Sequence, residues 1–251
     1  MKSLLLALIL LLLLAPVAVA RTNDGDSVAQ ARAMLGPGVW SQAIVIHNPQ
    51  RAGNLSARVQ AAVFSFRGVL WLYIPSQGTQ SLSHRRGRLE IDRANLLPLL
   101  REIQPGFAGY DVLSVKEVAP AEGPFPKLRN GCFIESLHAL ARLMDEGVVP
   151  SEAGLFTVYV QGPRGTQGHT GLYYQTDEGR FFWDPDRPER AIRVDGGLDD
   201  RDRVAREIRS DARWEILRTH FIPVEGDLHR LEWPRPVVRA GGAGVGEVGA
   251  G

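Results

Sequence analysis

Residues Leu128 to Met144 read "LRNGCFIESLHALARLM". Phe133, Leu137, Leu140 and Met144 recur at helical spacing, so the stretch predicts an amphipathic helix from Cys132 to about Glu146. Gly147 stands where a left-handed cap would stop it. Cys132 is the single cysteine of the chain and opens this helix. The free N–H groups and positive dipole end of a helix start favour an anion, which is expected to lower the thiol pKa. Asn130 and Gly131, just before it, put little bulk between the backbone and an approaching carbonyl.

Working outward, three strands follow the helix. "LFTVYVQG" (Leu155–Gly162) leads through a Gly-rich turn to "HTGLYYQT" (His169–Thr176). The turn "DEG" (Asp177–Gly179) then feeds "RFFWDPD" (Arg180–Asp186). A hairpin closing at Glu178 sets Tyr174 beside Phe182 and His169 opposite position 187, close to Asp184. Imidazole and carboxylate then share one end of the hairpin. Taken singly, a small buried cysteine, a turn histidine and an Asp-Pro turn are all ordinary. In the order Cys132, His169, Asp184, they outline a nucleophile, a base and a group that orients the base. Asn130, Gln167 and the backbone N–H of Cys132 are the candidates for holding an oxyanion.

"NGCFIESLHAL", "GHTGLYY" and "GRFFWDPD" together resemble the cysteine, histidine and aspartate blocks of the transglutaminase-like branch of the papain-like superfamily. The likeness spans Gly123 to Pro188. It implies an antiparallel sheet packed on the cysteine helix, with Cys132 as nucleophile, His169 as base and Asp184 as orienter. It also implies acyl transfer from a protein or peptide amide, by a peptidase, an amidase or a cross-linking enzyme. Cysteine peptidases with a similar "DP" block and cell-wall amidases share the layout. The family often carries an aromatic two residues after its histidine, where this chain has Gly171. The competing reading keeps the fold and drops the chemistry: an inactive binding or scaffold protein that uses the N-terminal strands.

Before the helix, "SVAQARAML" predicts a short helix stopped by Gly36-Pro37-Gly38. Trp40–Pro49 reads as a strand, and "ARVQAAVFSFRGVLWLYIPSQGTQSLS" as two strands joined at Arg67-Gly68. Ile91–Ile103 is a helix capped by Asp92 or Asn95, which decides whether Pro98 lies in its interior or its first turn. The Pro-rich run Ala119–Gly131 marks a boundary. "DDRDRVAREIRS" predicts a short exposed helix and "WEILRTHFIPV" a further strand. The expected class is α+β. Its parts are a signal peptide (1–20), a β-rich region (21–118), the Cys–His–Asp region (119–239) and a Gly-rich tail (240–251).

The first twenty residues, "MKSLLLALILLLLLAPVAVA", combine one lysine, an apolar run and a small-x-small site, the pattern of a cleaved export signal. A secreted or periplasmic protein is expected, touching a membrane only through that segment if it is retained. Removing Lys2 leaves 28 basic and 28 acidic residues of the 29 and 28 in the whole chain. That balance lacks the basic footprint of a nucleic-acid binder. No H-E-x-x-H or C-x-x-C spacing occurs, so neither a metal nor another cofactor is expected. Gly244-x-Gly246-x-x-Gly249 has the letters of a dinucleotide fingerprint but lies at the chain end without a strand before it. His47, His84, His138 and His220 read as surface or structural, and Asn54-Leu55-Ser56 as a glycosylation sequon.

Overall fold

The computed structural model describes residues 24–36, 38–51, 55–82, 93–113, 127–162, 165–209 and 215–224. The export signal, the sequon asparagine, His84, most of the Pro-rich run and the Gly-rich tail lie outside them. The described elements run α1 (Asp24–Leu35), β1 (Ser41–His47), β2 (Arg58–Phe66), β3 (Val69–Ile74), β4 (Gly78–Ser81), α2 (Arg93–Ile103) and β5 (Gly109–Val112). They continue with α3 (Cys132–Asp145), β6 (Glu152–Gly162), β7 (Gly165–Thr176), β8 (Gly179–Trp183), β9 (Ile192–Val194), α4 (Arg201–Ile208) and β10 (Glu215–Pro223). Among the described residues this is an α+β fold of four helices and two five-stranded antiparallel sheets. Their orders are β4-β3-β2-β1-β5 and β10-β6-β7-β8-β9. None of the described helices is long and apolar enough to cross a membrane.

Alternation along each strand sorts the apolar residues into three clusters, and these define the layers. Ile44, Ile46, Val63 and Leu72 face outward from the first sheet and pack on Leu96 and Leu100 of α2. Ala43, Ala62, Phe64 and Tyr73 face the other way, onto α1 and α3. Leu155, Leu172 and Tyr174 of the second sheet join that same cluster from the far side. Phe156, Val158 and Tyr173 point outward from the second sheet onto Val204 and Ala205 of α4. Layers therefore stack as α2, sheet, α1 with α3, sheet, α4. The N-terminal strands form a sheet of their own, and its inner face shares a core with the C-terminal half.

Helix α3 is buried on two sides because it lies between the sheets. Phe133 packs against Phe64, Phe66 and Trp71, with the Trp71 ring centroid 4.5 Å away. On the opposite side Ser136 Oγ donates to Thr170 O of β7 at 3.3 Å. Gly147, with φ +84°, ends the helix in a Schellman pattern: its N–H reaches Met144 O, and the Val148 N–H reaches Leu143 O. In the first sheet, Arg67 and Gly68 both have positive φ, the two-residue turn that suits the strand twist.

One expectation changes and one alternative is decided. The β7–β8 hairpin closes on the two residues Asp177 and Glu178, pairing Thr176 with Gly179 and Tyr174 with Phe181. This is one residue from the register expected at Glu178, so Phe182 turns toward α4 while Phe181 stacks on Tyr174 with centroids 5.3 Å apart. Helix α2 begins at Arg93, so of the two alternatives Pro98 takes the interior position that goes with a cap at Asp92, a residue outside the described ones. Strands β4, β5 and β9 were not expected. They are edge or near-edge strands of four, four and three residues.

Candidate active site

The turn Lys127–Gly131 carries the chain into α3, and three contacts fix it. Tyr73 Oη donates to Arg129 O at 2.7 Å. Asn130, itself in the left-handed region at φ +53°, donates its amide to Pro75 O at 2.8 Å. The Leu128 N–H donates to Glu135 Oε1 at 2.6 Å. Two of these anchors belong to β3 and the residue after it, so the first sheet sets where Cys132 stands. Gly131 is needed for close packing: a Cβ there would lie 2.2 Å from Leu128 Cβ. Space for a substrate carbonyl is not what its small size provides.

Cys132 Sγ points at β7. The backbone and hydroxyl of Thr170 and the backbone of Phe133, as neighbouring donors, favour its anion. Burial nonetheless outweighs these donors and pushes the thiol pKa up, with the nearby Glu135 carboxylate adding to the rise. This corrects the expectation of a thiol lowered by the helix start: α3 presents its N–H groups, but the sulfur sits in poorly hydrated surroundings.

His169 is the residue before Thr170, and β7 places it opposite Val158 of β6. Its Nε2 lies 2.8 Å from Asp184 Oδ1, with the two side chains only 12% and 17% exposed. Asp184 lies one residue past the end of β8, and Gly171 makes room for that strand end. A Cβ on Gly171 would fall 2.1 Å from Phe182 Cζ and 2.6 Å from Trp183 O. Burial alone would raise the Asp184 carboxyl. The His169 hydrogen bond, the Asp186 N–H and the Arg209 guanidinium together hold it below the usual range.

The structure thus joins His169 to Asp184 and sets the thiol beside Thr170, the next residue of β7, whose side chain alternates to the other face of the sheet from His169. The other imidazole nitrogen faces elsewhere. Nδ1 lies 3.8 Å from Asp186 Oδ2, within ion-pair reach but beyond a hydrogen bond. The Lys127 ammonium holds Asp186 by its other oxygen, Oδ1. Of the oxyanion candidates, Asn130 commits its amide to Pro75. Gln167 is exposed on β7 two residues before His169, on the same strand face. His138 is half-buried on α3, and His47 pairs with Asp111 at 2.9 Å on the first sheet, away from this site.

Glu135, Asp186, Lys127 and Thr170 complete the site without having been singled out in the sequence. Glu135 is buried, one turn after Cys132, and its carboxyl is pushed up by burial against the pull of the Leu128 N–H and Lys127. Its signal was the i, i+3 spacing from Cys132, and that of Asp186 the Asp-Pro-Asp run. As an assembly, the site offers a neutral thiol, an imidazole fixed at one nitrogen, and a surplus of carboxylates with a single ammonium. No family model, no curated protein and no solved structure matches the chain.

Proposed function

We propose that this chain is an exported thiol-dependent acyl-transfer enzyme with a papain/transglutaminase-like core, acting on an amide of a protein or peptide. One observation carries the reading: His169 is clamped on Asp184 while the Cys132 sulfur lies beside the adjacent residue of β7. In this reading Asp184 fixes the tautomer with Nε2 protonated, leaving Nδ1 as the base nitrogen. Because burial keeps the resting thiol neutral, the proton leaves as the nucleophile attacks. Nδ1 accepts it once the ring turns from Asp186 toward the sulfur, sulfur bonds to the carbonyl carbon, and the oxyanion is met by N–H groups of the first turn of α3. Collapse passes the proton to the departing amine and leaves a thioester, which water or a second amine releases. Residues 1–20 act as the export signal, which places this chemistry outside the cytoplasm.

The test is alkylation of Cys132 by iodoacetamide, followed by mass spectrometry across pH. Wild-type protein is expected to label at neutral pH in a His169-dependent manner. The His169→Ala variant should label appreciably only as pH climbs toward and past 9.0, the unperturbed thiol value above which burial has moved this group. Equal neutral-pH rates in both proteins would remove the imidazole from the thiol's chemistry. That outcome would favour the second reading, a non-catalytic binding or scaffold protein. The raised thiol and the position of Asp186 beside Nδ1 are its support.

A further inference from the structure

We propose that Gly168, Tyr159 and Arg218 form a substrate shelf beside Cys132, which takes an extended peptide and selects one carrying a carboxylate a few residues from the reacting amide. This site rests on the acyl-transfer reading and names its substrate class. It follows from strand register. Arg218 of β10 lies opposite Tyr159 of β6, and Tyr159 opposite Gly168 of β7, so the three make one row across the second sheet. The neighbouring row holds Thr157 and Thr170, whose hydroxyls meet at 2.9 Å. Alternation puts both rows on one face of the sheet. A Cβ on Gly168 would stand 3.1 Å from Tyr159 Cε1 and 3.8 Å from Thr157 Cγ2, so the glycine lets the phenol ring lie against the strand on that face.

Cys132 is the first residue of α3 and stands beside Thr170. The helix packs on Leu172 and Tyr174, which continue the face in the other direction. The shelf row lies past the helix start, with Gly168 and Arg218 exposed and Tyr159 half-buried. Thr170 and Gly168 are two residues apart on β7, roughly 7 Å at about 3.4 Å per residue. From Thr170 to Arg218 is one row along and two strands across, roughly 12 Å with strands about 4.8 Å apart. An extended peptide covers that distance in about three to four residues.

Charge decides what the shelf selects. The Arg218 guanidinium lies over the Tyr159 ring, 4.4 Å from its centroid. Stacking orients the planar fork while leaving its N–H donors unused. Among the described residues no carboxylate pairs with it. Glu215, the one acid of β10, stands opposite Gln161, a row farther from Cys132. Asp184 and Asp186 are engaged by His169 and Lys127, so neither neutralises the guanidinium. A register shift between Ile216 and Arg218 breaks the β10 ladder just before the arginine, an irregularity of the kind that re-aims a side chain beside a site. An exposed, oriented and unneutralised guanidinium is suited to receive a carboxylate through two parallel hydrogen bonds.

The experiment is protection of Cys132 from iodoacetamide in the full chain by two capped peptides, acetyl-Glu-Ala-Ala-Gly-Ala-Ala-Glu-amide and its Gln-for-Glu counterpart. The acidic peptide is expected to protect at a concentration at least about tenfold lower than the neutral one. Arg218→Gln should abolish that preference, and Arg218→Lys should restore part of it. The neutral peptide with a free terminal carboxylate distinguishes a chain end from a side chain as the source of the charge. Circular dichroism of the exposed Arg218 variants checks that the fold persists. Equal protection by the acidic and neutral peptides, or none from any peptide up to about 1 mM, would overturn the proposal. So would an acid preference that survives in Arg218→Gln. The His169 dependence of alkylation without peptide reports separately on the acyl-transfer reading. Its loss beside a retained acid preference would leave the shelf as a binding site without that chemistry; its presence without the preference would remove the shelf alone.

Discussion

Glu135 shows how a side chain acquires a role its sequence position does not announce. In "CFIESLHAL" it reads as a solvated helix residue, yet the layer above α3 covers it and the Leu128 N–H needs its oxygen. Replacing it with alanine strands that buried N–H and should cost about 1–3 kcal/mol in a denaturant melt. Glu135→Gln keeps an acceptor and removes the buried charge. The carboxyl pKa in the folded chain is raised above the ordinary 4.5, so folding favours its protonated form. Its contribution is therefore most favourable below 4.5 and is lost as pH rises through the elevated native value. Melts of wild type and Glu135→Gln should diverge in that direction, the variant gaining relative stability at neutral pH. Gly171 makes the complementary case. Gly171→Ala would press a methyl against the Phe182 ring and a backbone oxygen, and should destabilise by about 1–3 kcal/mol.

Among the elements, those with a strong internal signal were legible and those made by their neighbours were not. The apolar period of α3, the Asp200 cap of α4 and the Arg67-Gly68 turn each carry their own instructions. Strands β5 and β9 are only four and three residues long, too short for a pattern of their own, and they exist because β1 and β8 offer an open edge. The pairing of His169 with Asp184 was legible because a tight turn forces two strand ends together. The register was not, since "TDEGR" lets Gly179 belong to the turn or to the strand, and the sequence does not choose. Whether the thiol would be shielded depended on a second sheet that no local pattern revealed. The Tyr73 hydroxyl, one strand away from α3 in another layer, is a test of that dependence. Tyr73→Phe should cost about 0.5–1.5 kcal/mol through loss of its bond to Arg129 O. It should also alter the rate of Cys132 alkylation, measured at a pH where the parent labels steadily.

At the scale of the whole molecule, the Pro-rich run suggested two parts, and the apolar clusters describe one. Phe64 and Leu172 belong to different sheets yet bury against the same helix layer. A chain starting at residue 119 would leave that face of α3 in water, an apolar surface too large for a monomer to expose. Such a fragment should fail to give a cooperative melt, whereas the full chain should unfold in a single transition seen alike by tryptophan fluorescence and circular dichroism. Two separated transitions in the full chain would argue for independent halves.

The clamp of the Lys127–Gly131 turn onto Tyr73 and Pro75 has a mechanical corollary. The sulfur rides on one layer while the His169 ring rides on another. Sliding the layers by a fraction of a bond length therefore moves the sulfur and the ring relative to each other. A molecule gripping the outer helices α2 and α4 would alter their separation as a lever does, without touching either group.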